Sequence, residues 1–357
     1  MDRRVSLKDV AQAAGVHPTT VSMALRNHPR IPEKTRERLK KLAEKMGYTR
    51  DPALVALVEY RNSLYRSKSP PVIAFLTDWK PADGWRSNPT KNMFWTGAHD
   101  RAHRLGYKLE HFSLGEAGMT AARMSKILLT RNIKGLILAN FLVHTESIEL
   151  PWDHLCAVKI DYEPLAPRLA SITNNQLQIT RLAMQRIRAL GYRRIGLCLP
   201  DSWEQMLDDV WAIAYLWEQQ KHEPEDRIPE LRYAGAEDIR SKSRAFKQWF
   251  DQYKPDAVLG DSAEIIAMAE SFGIRIPRDL AVADFNCMGT DGAIAGITQN
   301  HLDVGRLAVD MVAGFMSQHI FGLPAVPVRS FVDGYWTDGR SCPPVKAKKA
   351  TRKAGAG

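Results

Sequence analysis

The chain has 357 residues, 45% of them hydrophobic, and a formal net charge of +10. A chain of this length exceeds one hydrophobic core, so we expect two or three domains. Its four cysteines are far apart and form no metal-binding pattern, and no run of about 18 apolar residues occurs. Because the N-terminal segment also lacks an apolar signal region, we expect a cytoplasmic protein with reduced thiols, no membrane span, no metal and no cofactor.

The positive charge is concentrated near the two ends. Residues 1–68 carry 15 Lys and Arg against 7 Asp and Glu. Residues 345–357 carry 5 basic residues and no acidic one, which leaves a net charge of −3 for the rest. A solvated surface would spread the excess evenly, whereas a basic segment beside a near-neutral body is typical of a domain that contacts phosphate. The sequence therefore predicts a nucleic-acid partner.

Two short helices joined by a tight turn are predicted between residues 6 and 27. Each helix has an apolar stripe at helical spacing, formed by Leu7, Val10 and Ala11 in the first and by Val16, Val21 and Leu25 in the second. Gly15 supplies the turn, and the spacing of Ser6 and Asp9 predicts a capping box. This pattern is typical of a helix-turn-helix, whose second helix presents its outer side chains to a DNA groove.

A third helix is predicted from about Pro32 to Met46, ending at Gly47, with Leu39, Leu42 and Met46 on its buried face. Its other face is basic, with Lys34, Arg36, Arg38, Lys40, Lys41 and Lys45. Such a face is often only solvated, but beside the helix-turn-helix a phosphate contact is an equally good interpretation.

Residues 51–60 form a short apolar segment that begins with Asp51-Pro52, and a polar linker follows as far as Pro70-Pro71. A helix this short is marginal alone. We therefore predict a hinge helix that forms only when a second copy or DNA covers its apolar side chains, Leu54, Leu57 and Val58.

Strands and helices alternate from Val72 onward. Strands are predicted at 72–77, 108–112, 135–139, 157–160, 194–199, 257–259 and 280–285. Helices are predicted at 92–105, 121–130, 176–190, 204–220, 239–253, 263–272 and 304–319. This alternation predicts an α/β fold with parallel, doubly wound sheets in two lobes, whose ligand lies at the carboxyl ends of the strands.

Four short motifs of the headpiece occur in a fixed order: Asp9-Val10-Ala11, Ala14-Gly15-Val16, Thr20-Val21-Ser22 and Gly47-Tyr48. In this order they resemble the headpiece of the LacI/GalR transcriptional regulators. Gly97, Gly106-Tyr107 and the segment 190–196 (L-G-Y-R-R-I-G) are similar to that family's effector domain. The resemblance implies a headpiece at 1–49, a hinge and linker at 50–70, a periplasmic-binding-protein-like effector and dimerisation domain of two lobes at 71–344, and a basic disordered tail at 345–357.

The resemblance implies a homodimeric transcription factor, interpreted as a repressor, that binds a pseudo-palindromic double-stranded DNA operator. A small polar effector, with a carbohydrate as the leading guess, would control its affinity by closing the cleft. An activator and a regulator that responds to a non-sugar metabolite are the alternatives. A solute-binding protein is a more distant one, because the headpiece and the missing signal peptide argue against it.

The resemblance also implies a set of DNA contacts: Leu7, His17, Pro18, Thr19, Thr20, Ser22, Met23, Arg26, Asn27 and Leu57. Pro18, Thr19 and Met23 fall on base-reading positions, whereas the polar positions around them suit phosphate. Relatives more often carry arginine where Met23 stands, and arginine reads guanine. Methionine cannot donate a hydrogen bond, so we expect an apolar contact there, with a core role as the alternative.

Leu57 aligns with the hinge leucine that relatives insert into the minor groove, which bends the duplex. Packing within the dimer is the alternative interpretation of this side chain. The hinge also departs from the family pattern, with Arg50 where proline is usual and Val55 where arginine is usual.

By position, the family's effector contacts fall on Asp78, Trp79, Asp161, Gln205, Asp261, Asn286 and Gln299. Gln205 stands where relatives have arginine, and Asn286 stands where they have aspartate. Five tryptophans lie in or near the same loops: Trp79, Trp85, Trp95, Trp203 and Trp211. Aromatic rings suit sugar faces, but for any one of these tryptophans a place in the lobe core is the better interpretation.

An enzymatic function is not predicted. His99-Asp100-Arg101-Ala102-His103 has the spacing of a zinc-binding H-E-x-x-H helix, but aspartate is shorter than the glutamate of that motif, and no third ligand is indicated. The glycine-rich and nucleophile motifs of phosphoryl, hydride and acyl transfer do not occur.

Overall fold

The structure is a computed structural model that describes residues 5–25, 30–48, 70–141, 147–162, 166–234, 239–289 and 291–345, without the side chains of 204–206. The chain divides into two compact units between Pro70 and Pro71. The predicted hinge helix with Leu57, the DNA contacts Arg26 and Asn27, and the tail after Val345 lie outside the described residues.

The first unit contains three helices in its described part, α1 (Leu7–Ala14), α2 (Pro18–Leu25) and α3 (Glu33–Lys45). The predicted capping box is confirmed, because Ser6 Oγ accepts from Asp9 N at 3.3 Å and Asp9 Oδ2 accepts from Ser6 N at 2.7 Å. Gly15, with a φ of 66°, ends α1 in the left-handed conformation that a glycine adopts without steric strain.

The buried face of α3 differs from the prediction at one position. Leu39 and Ala43 are buried and Met46 packs beside them, whereas Leu42 is partly exposed. The reason is the helical period, since residues i, i+4 and i+7 share one face and residue i+3 lies at its margin.

The second unit consists of two α/β lobes, each built on a sheet of six strands within the described residues. The strand order of the first sheet is β11-β5-β4-β3-β1-β2, and all its pairs are parallel. Its strands are β1 (Val72–Thr77), β2 (Lys108–Ser113), β3 (Gly135–Leu138), β4 (Cys156–Ile160), β5 (Ala170–Asn174) and β11 (Arg329–Val332). Helices α4 (Pro89–Arg104) and α11 (His301–Gln318) cover one face, and α5 (Ala121–Thr130) covers the other.

The second sheet has the order β12-β10-β9-β8-β6-β7. Its strands are β6 (Ile195–Pro200), β7 (Leu231–Tyr233), β8 (Ala257–Gly260), β9 (Ala281–Asp284), β10 (Ala295–Thr298) and β12 (Tyr335–Thr337). Its helices are α6 (Gln176–Ala189), α7 (Asp201–Leu207), α8 (Val210–Gln219), α9 (Ile239–Tyr253) and α10 (Ser262–Glu270). Helices α6 and α8 pack on one face, and α9 and α10 pack on the other.

The predicted α/β class with two doubly wound lobes is confirmed, and three details are corrected. The strands β5, β7, β10, β11 and β12 were not predicted, because they lack the distinct apolar run by which equally short strands such as β3 were predicted. Strand β12 runs antiparallel to β10, so the second sheet is not purely parallel. The helix predicted at 204–220 is two helices, because Asp208 and Asp209 adopt left-handed conformations with φ values of 59° and 54°.

Helices α4 and α11 cross in close contact. A Cβ atom on Gly97 would lie 2.0 Å from the carbonyl oxygen of Leu302, and one on Gly305 would lie 2.1 Å from that of Phe94. Glycine is therefore required at both positions for the two backbones to approach. The four cysteines are buried and unpaired. No helix in the described residues has the length and apolarity needed to cross a membrane.

Candidate functional site

The outer side of α2 carries the side chains that the sequence predicts for DNA contact. His17 and Thr19 are exposed, and Pro18, Thr20 and Ser22 are partly exposed. The ring of His17 caps the helix, since its Nδ1 accepts from Thr19 N at 3.3 Å and lies 3.0 Å from Thr19 Oγ1. This arrangement fixes the ring at the start of α2 and leaves its Nε2 for an outside partner.

Met23 and Leu7 are partly buried and pack against the headpiece core. Part of the Met23 side chain therefore lies in the headpiece core, and the rest of it is accessible to solvent. The basic face of α3 is at the surface, where Lys34, Arg38, Lys40, Lys41 and Lys45 are exposed and Arg36 is partly exposed. A run of cations next to an exposed reading helix suits binding to DNA phosphates.

In the second unit, polar side chains follow four neighbouring strands of the first lobe. Asp78 and Trp79 follow β1, Asn140 follows β3, Asp161 follows β4, and Asn174 ends β5. These strands are parallel, so the five residues lie along the same edge of the sheet. This is the edge at which doubly wound sheets bind their ligands.

An ion pair joins this edge to the start of α4. Lys91 Nζ lies 2.9 Å from Asp161 Oδ2, and both side chains are mostly buried. The other carboxylate oxygen of Asp161 accepts from Thr173 Oγ1 at 3.0 Å. The backbone carbonyl of Lys91 accepts from Asn140 Nδ2 at 3.4 Å. Asp161, which was predicted as an effector contact, is therefore held in place and compensated in charge.

The facing edge of the second lobe is acidic. Asp261 caps α10, because its Oδ1 accepts from Ala263 N at 3.0 Å and from Glu264 N at 3.2 Å. Burial raises the pKa of Asp261, and the carboxylates of Asp284 and Glu264 add to this increase. Asp284 accepts from Ser262 N at 2.9 Å, from Ser262 Oγ, and from the backbone N–H of Asn286 at 2.7 Å.

The two lobes are connected by a chain of hydrogen bonds. Asn286 Nδ2 donates to Thr90 Oγ1 across the cleft at 2.9 Å. The ring of His301 lies between two amides, with Nε2 2.9 Å from Asn286 Oδ1 and Nδ1 3.0 Å from Asn174 Oδ1. Burial lowers the pKa of His301 to about 4, so the ring is neutral at pH 7. Asn286, another predicted contact, is thus part of the connection between the lobes.

Gln299 lies deeper than predicted for a ligand contact. It is buried, its Nε2 donates to the carbonyl of Phe285 at 2.9 Å, and its Oε1 accepts from Gln176 at 3.4 Å. Gln176 in turn accepts from the indole N–H of Trp211 at 2.8 Å. The amide of Gln299 is therefore engaged inside the second lobe. The side chain of Gln205 is outside the description.

The five tryptophans are in different environments. Trp85 and Trp211 are buried, and Trp211 stacks on Phe285 with ring centroids 4.4 Å apart. Trp95 and Trp203 pack at the edges of the lobe cores, and Trp79 is partly exposed after β1. The core interpretation therefore fits most of them, and Trp79 is the one best placed at the sheet edge.

Three buried polar atoms at the edge of the first lobe have no hydrogen-bond partner: Trp79 Nε1, Asn140 Oδ1 and Asn174 Nδ2. Four residues of this site were not predicted from the sequence: Lys91, Asn140, Asn174 and His301. Asn140 could have been predicted as a ligand contact, because it is a polar residue directly after a buried strand. In this fold, ligands bind at the carboxyl ends of the strands.

No group of three or more His, Cys, Asp or Glu among the described residues is arranged to hold a metal ion. His99 and His103 lie on the exposed side of α4, and His99 stacks on Trp95.

Two family models match the chain. Residues 6–51 match the model "Bacterial regulatory proteins, lacI family", and residues 184–342 match the "Periplasmic binding protein-like domain". The HTH-type transcriptional regulator DegA of Bacillus subtilis is 26% identical over 303 residues, which cover 79% of this chain and 82% of DegA. The HTH-type transcriptional repressor CytR of Escherichia coli is 22% identical over 335 residues, which cover 88% of this chain and 91% of CytR.

Two solved structures share the fold. A lac repressor dimer bound to operator and the anti-inducer ONPF has a TM-score of 0.54 at 18% identity, and the match covers 96% of this chain and 100% of that one. The transcriptional regulator CelR in complex with cellobiose has a TM-score of 0.55 at 18% identity, and the match covers 95% of this chain and 100% of that one. With its helix-turn-helix headpiece and two-lobed body, the chain belongs to the LacI family of bacterial regulatory proteins, which are DNA-binding transcriptional regulators and not enzymes.

Proposed function

We propose that the protein is a transcriptional repressor that binds a pseudo-palindromic operator as a homodimer and responds to a small, sugar-like effector bound between its lobes. One observation carries the proposal. A helix-turn-helix with an exposed second helix is joined in the same chain to two α/β lobes, which are connected by the hydrogen bond between Asn286 and Thr90 at the start of α4. A fold alone does not define a function, so the proposal depends on these two sites.

The headpiece supports separate sets of residues for contacts to bases and for contacts to phosphates. His17, Pro18 and Thr19 at the start of α2, together with the accessible part of Met23, would contact base edges. Thr20, Ser22 and the lysines of α3 would contact phosphates and set the register on the duplex. Leu7 would lie beside these contacts. Arg26, Asn27 and the hinge residue Leu57 complete the proposed set.

The cleft supports control by a small molecule. Asp78, Trp79, Asp161, Gln205, Asp261, Asn286 and Gln299 remain the proposed effector residues, and Lys91, Asn140, Asn174 and His301 join them. A ligand that contacts both edges favours the closed arrangement of the lobes, because it gains affinity only when both edges are near. In a dimer, this closure would change how the two headpieces are held for the operator.

The relatives support the finer points by analogy. The lac repressor structure is a dimer on its operator, CelR was solved with cellobiose, and CytR is named as a repressor. We extend dimerisation, operator binding, a carbohydrate effector and repression to this chain as proposals. We also propose that it acts in the cytoplasm, where bacterial DNA lies.

The test is selection of a binding site from random DNA with the full-length chain, followed by fluorescence anisotropy at one fixed salt concentration. Salt must be held constant because phosphate contacts make the affinity strongly salt-dependent. We expect a two-fold symmetric site and a dimeric complex. A chain that lacks residues 1–60 should lose operator binding and keep ligand binding. Equal affinity for all sequences would contradict a sequence-specific regulator.

Repression is tested separately with a reporter gene placed behind the selected site. A repressor lowers transcription when the protein is supplied, and the effector restores it. An increase in transcription would favour the activator instead, and an unchanged level would reject regulation from that site.

A further inference from the structure

We propose that the cleft selects a neutral, hydroxyl-rich effector and rejects anionic relatives of it, such as sugar acids and sugar phosphates. This inference rests on the proposed function, because it names the ligand class of the same cleft. Three observations on the described residues carry it: ion-paired cations near the cleft, carboxylates already bound at a helix N-terminus, and three unpartnered polar atoms.

Lys91, a mostly buried cation at the edge of the first lobe, is already paired. Lys91 lies 2.9 Å from Asp161, and their side chains are only 17% and 24% exposed. Diverting Lys91 to a ligand anion would leave the Asp161 carboxylate partly buried and uncompensated, which is strongly unfavourable. Lys159 on β4 is buried below the same edge and donates to the carbonyl of Tyr162 at 2.6 Å.

Two described cations near the edge of the second lobe are paired as well. Lys242 lies 3.1 Å from Glu264. Arg232 lies 2.8 Å from Asp209 and 2.7 Å from Glu230. An incoming anion would therefore compete with an existing carboxylate for each of them.

The N-terminus of α10 is occupied by the protein's own carboxylates. A helix N-terminus is a ready site for phosphate or carboxylate, because its backbone N–H groups lack partners within the helix. Here Asp261 accepts from two of these groups and Asp284 accepts from the N–H of Ser262. The two carboxylates also make the local potential negative. The pKa of Asp261 is raised mainly by burial, and the carboxylates of Asp284 and Glu264 raise it further.

The unpartnered atoms define what the ligand must offer. Asn140 is 2% exposed, yet its Oδ1 lacks a donor. Asn174 is 1% exposed, and because the neutral ring of His301 engages one atom of its amide, the other amide atom has no partner. Trp79 Nε1 lacks an acceptor. A hydroxyl group both donates and accepts, so it is able to serve any of these atoms. A carboxylate or phosphate oxygen only accepts, so an anionic group in the position of the hydroxyl that faces Asn140 Oδ1 leaves that buried atom without a donor, which is unfavourable.

The test uses matched ligands with the full-length chain at constant ionic strength. Hexoses, disaccharides and ribonucleosides are each compared with their carboxylate or phosphate forms, and affinity is read from the ligand-dependent rise in Tm. We expect at least one neutral member to bind, and to bind about tenfold or more tightly than its anionic form. An anionic form that binds equally well or better would overturn the inference, and so would a set in which no neutral member binds.

A pair of variants tests the role of the unpartnered amide. Asn140 and Asn132 lie at opposite ends of β3, and both have a left-handed backbone, with φ values of 59° and 52°. Glycine tolerates this conformation, so Asn140→Gly and Asn132→Gly each remove a side chain without backbone strain. We expect Asn140→Gly to weaken the neutral ligand by about tenfold, the order of a lost buried hydrogen bond, and Asn132→Gly to bind like the wild type. Equal affinity of the two variants would overturn the role of Asn140.

Operator binding measured in parallel separates this inference from the proposed function. A chain that binds a neutral sugar but no operator contradicts the function and leaves the ligand class standing. A chain that binds its operator and responds only to a sugar acid or phosphate supports the function and overturns the ligand class.

Discussion

Asn286 of the second lobe donates a hydrogen bond to Thr90 of the first lobe at 2.9 Å. The acceptor lies near the start of α4, one residue before the Lys91 that pairs with Asp161. The donor side chain also contacts His301, the first residue of the helix that passes from the second lobe to the first. The contact between the lobes and the proposed effector site are therefore parts of one network, so a ligand that touches either residue acts on lobe closure.

Replacing Thr90 by valine tests this connection. Valine keeps the side-chain shape and loses the hydroxyl, which removes a hydrogen bond worth about 0.5–1.5 kcal/mol. We expect effector affinity to fall by a factor of about 2–10, because effector binding must then supply the free energy of lobe closure that this hydrogen bond contributed. The measurement is ligand titration by calorimetry. Thr96→Val on the same helix is the control, since Thr96 Oγ1 donates within α4 to Asn92. Equal affinities of the two variants would contradict the coupling.

The buried ring of His301 predicts a loss of stability in acid. Burial lowers its pKa from 6.5 to about 4 in the folded chain, with Asp161 opposing and Lys91 assisting the decrease. The unfolded chain therefore binds the proton first, so stability attributable to this group is full above pH 6.5 and falls as the pH decreases toward 4. The full difference is about 3 kcal/mol, because one pKa unit corresponds to about 1.4 kcal/mol.

His301→Gln isolates this effect from the carboxylates that titrate in the same range. Glutamine retains a donor and an acceptor but does not titrate. Urea unfolding between pH 7 and pH 4.5 should show the wild type losing stability relative to the variant. If the free energy of unfolding depends on pH in the same way for both proteins, the pKa of His301 is not lowered in the folded chain.

The sequence predicts the headpiece in more detail than the cleft. The helix-turn-helix depends on local signals, namely an apolar period, a capping box at Ser6 and a glycine turn at Gly15, and such signals are visible in neighbouring residues. The cleft is assembled from strand ends far apart in the chain, as in the bond between Asn286 and Thr90. The family resemblance predicts Asp161 and Asn286 as effector contacts. Only the folded structure shows that Lys91 neutralises Asp161 and that His301 contacts the side chain of Asn286.

The short strands escaped prediction for a related reason. Strands β7 and β10 have three and four residues, too few for a periodic pattern, and they lack the continuous apolar run that predicts the four-residue β3. The break between α7 and α8 is also a tertiary feature, because Asp209 in the left-handed turn pairs with Arg232 on β7. Nothing in the local sequence requires a helix to end there.

The crossing of α4 and α11 predicts a large effect of a small substitution. Alanine at Gly97 would place its Cβ 2.0 Å from the carbonyl oxygen of Leu302, and that backbone cannot move without separating the helices. We expect Gly97→Ala to destabilise the second unit by about 1–3 kcal/mol or more, as overpacking does. Gly314→Ala in α11 is the control, because its Cβ would meet only the end of Gln318 at 4.0 Å and alanine favours the helix by about 0.5–1 kcal/mol. Thermal unfolding of both variants should give opposite signs, and a neutral Gly97→Ala would contradict the close crossing.

The methionine at position 23 leads us to expect a different base preference at one operator position from that of relatives with arginine there. The side chain is partly accessible on α2, follows Ser22 directly, and cannot donate a hydrogen bond. Met23→Arg introduces a donor pair for guanine O6 and N7, which discriminates against other bases by about 1–3 kcal/mol. We therefore expect the variant to select a G·C pair at one symmetric position where the wild type selects another base. The measurement is site selection from random DNA with both proteins, and Lys34→Ala serves as the control because the loss of a phosphate contact weakens binding at all sequences alike. An unchanged selected site for Met23→Arg would show that Met23 belongs to the headpiece core alone.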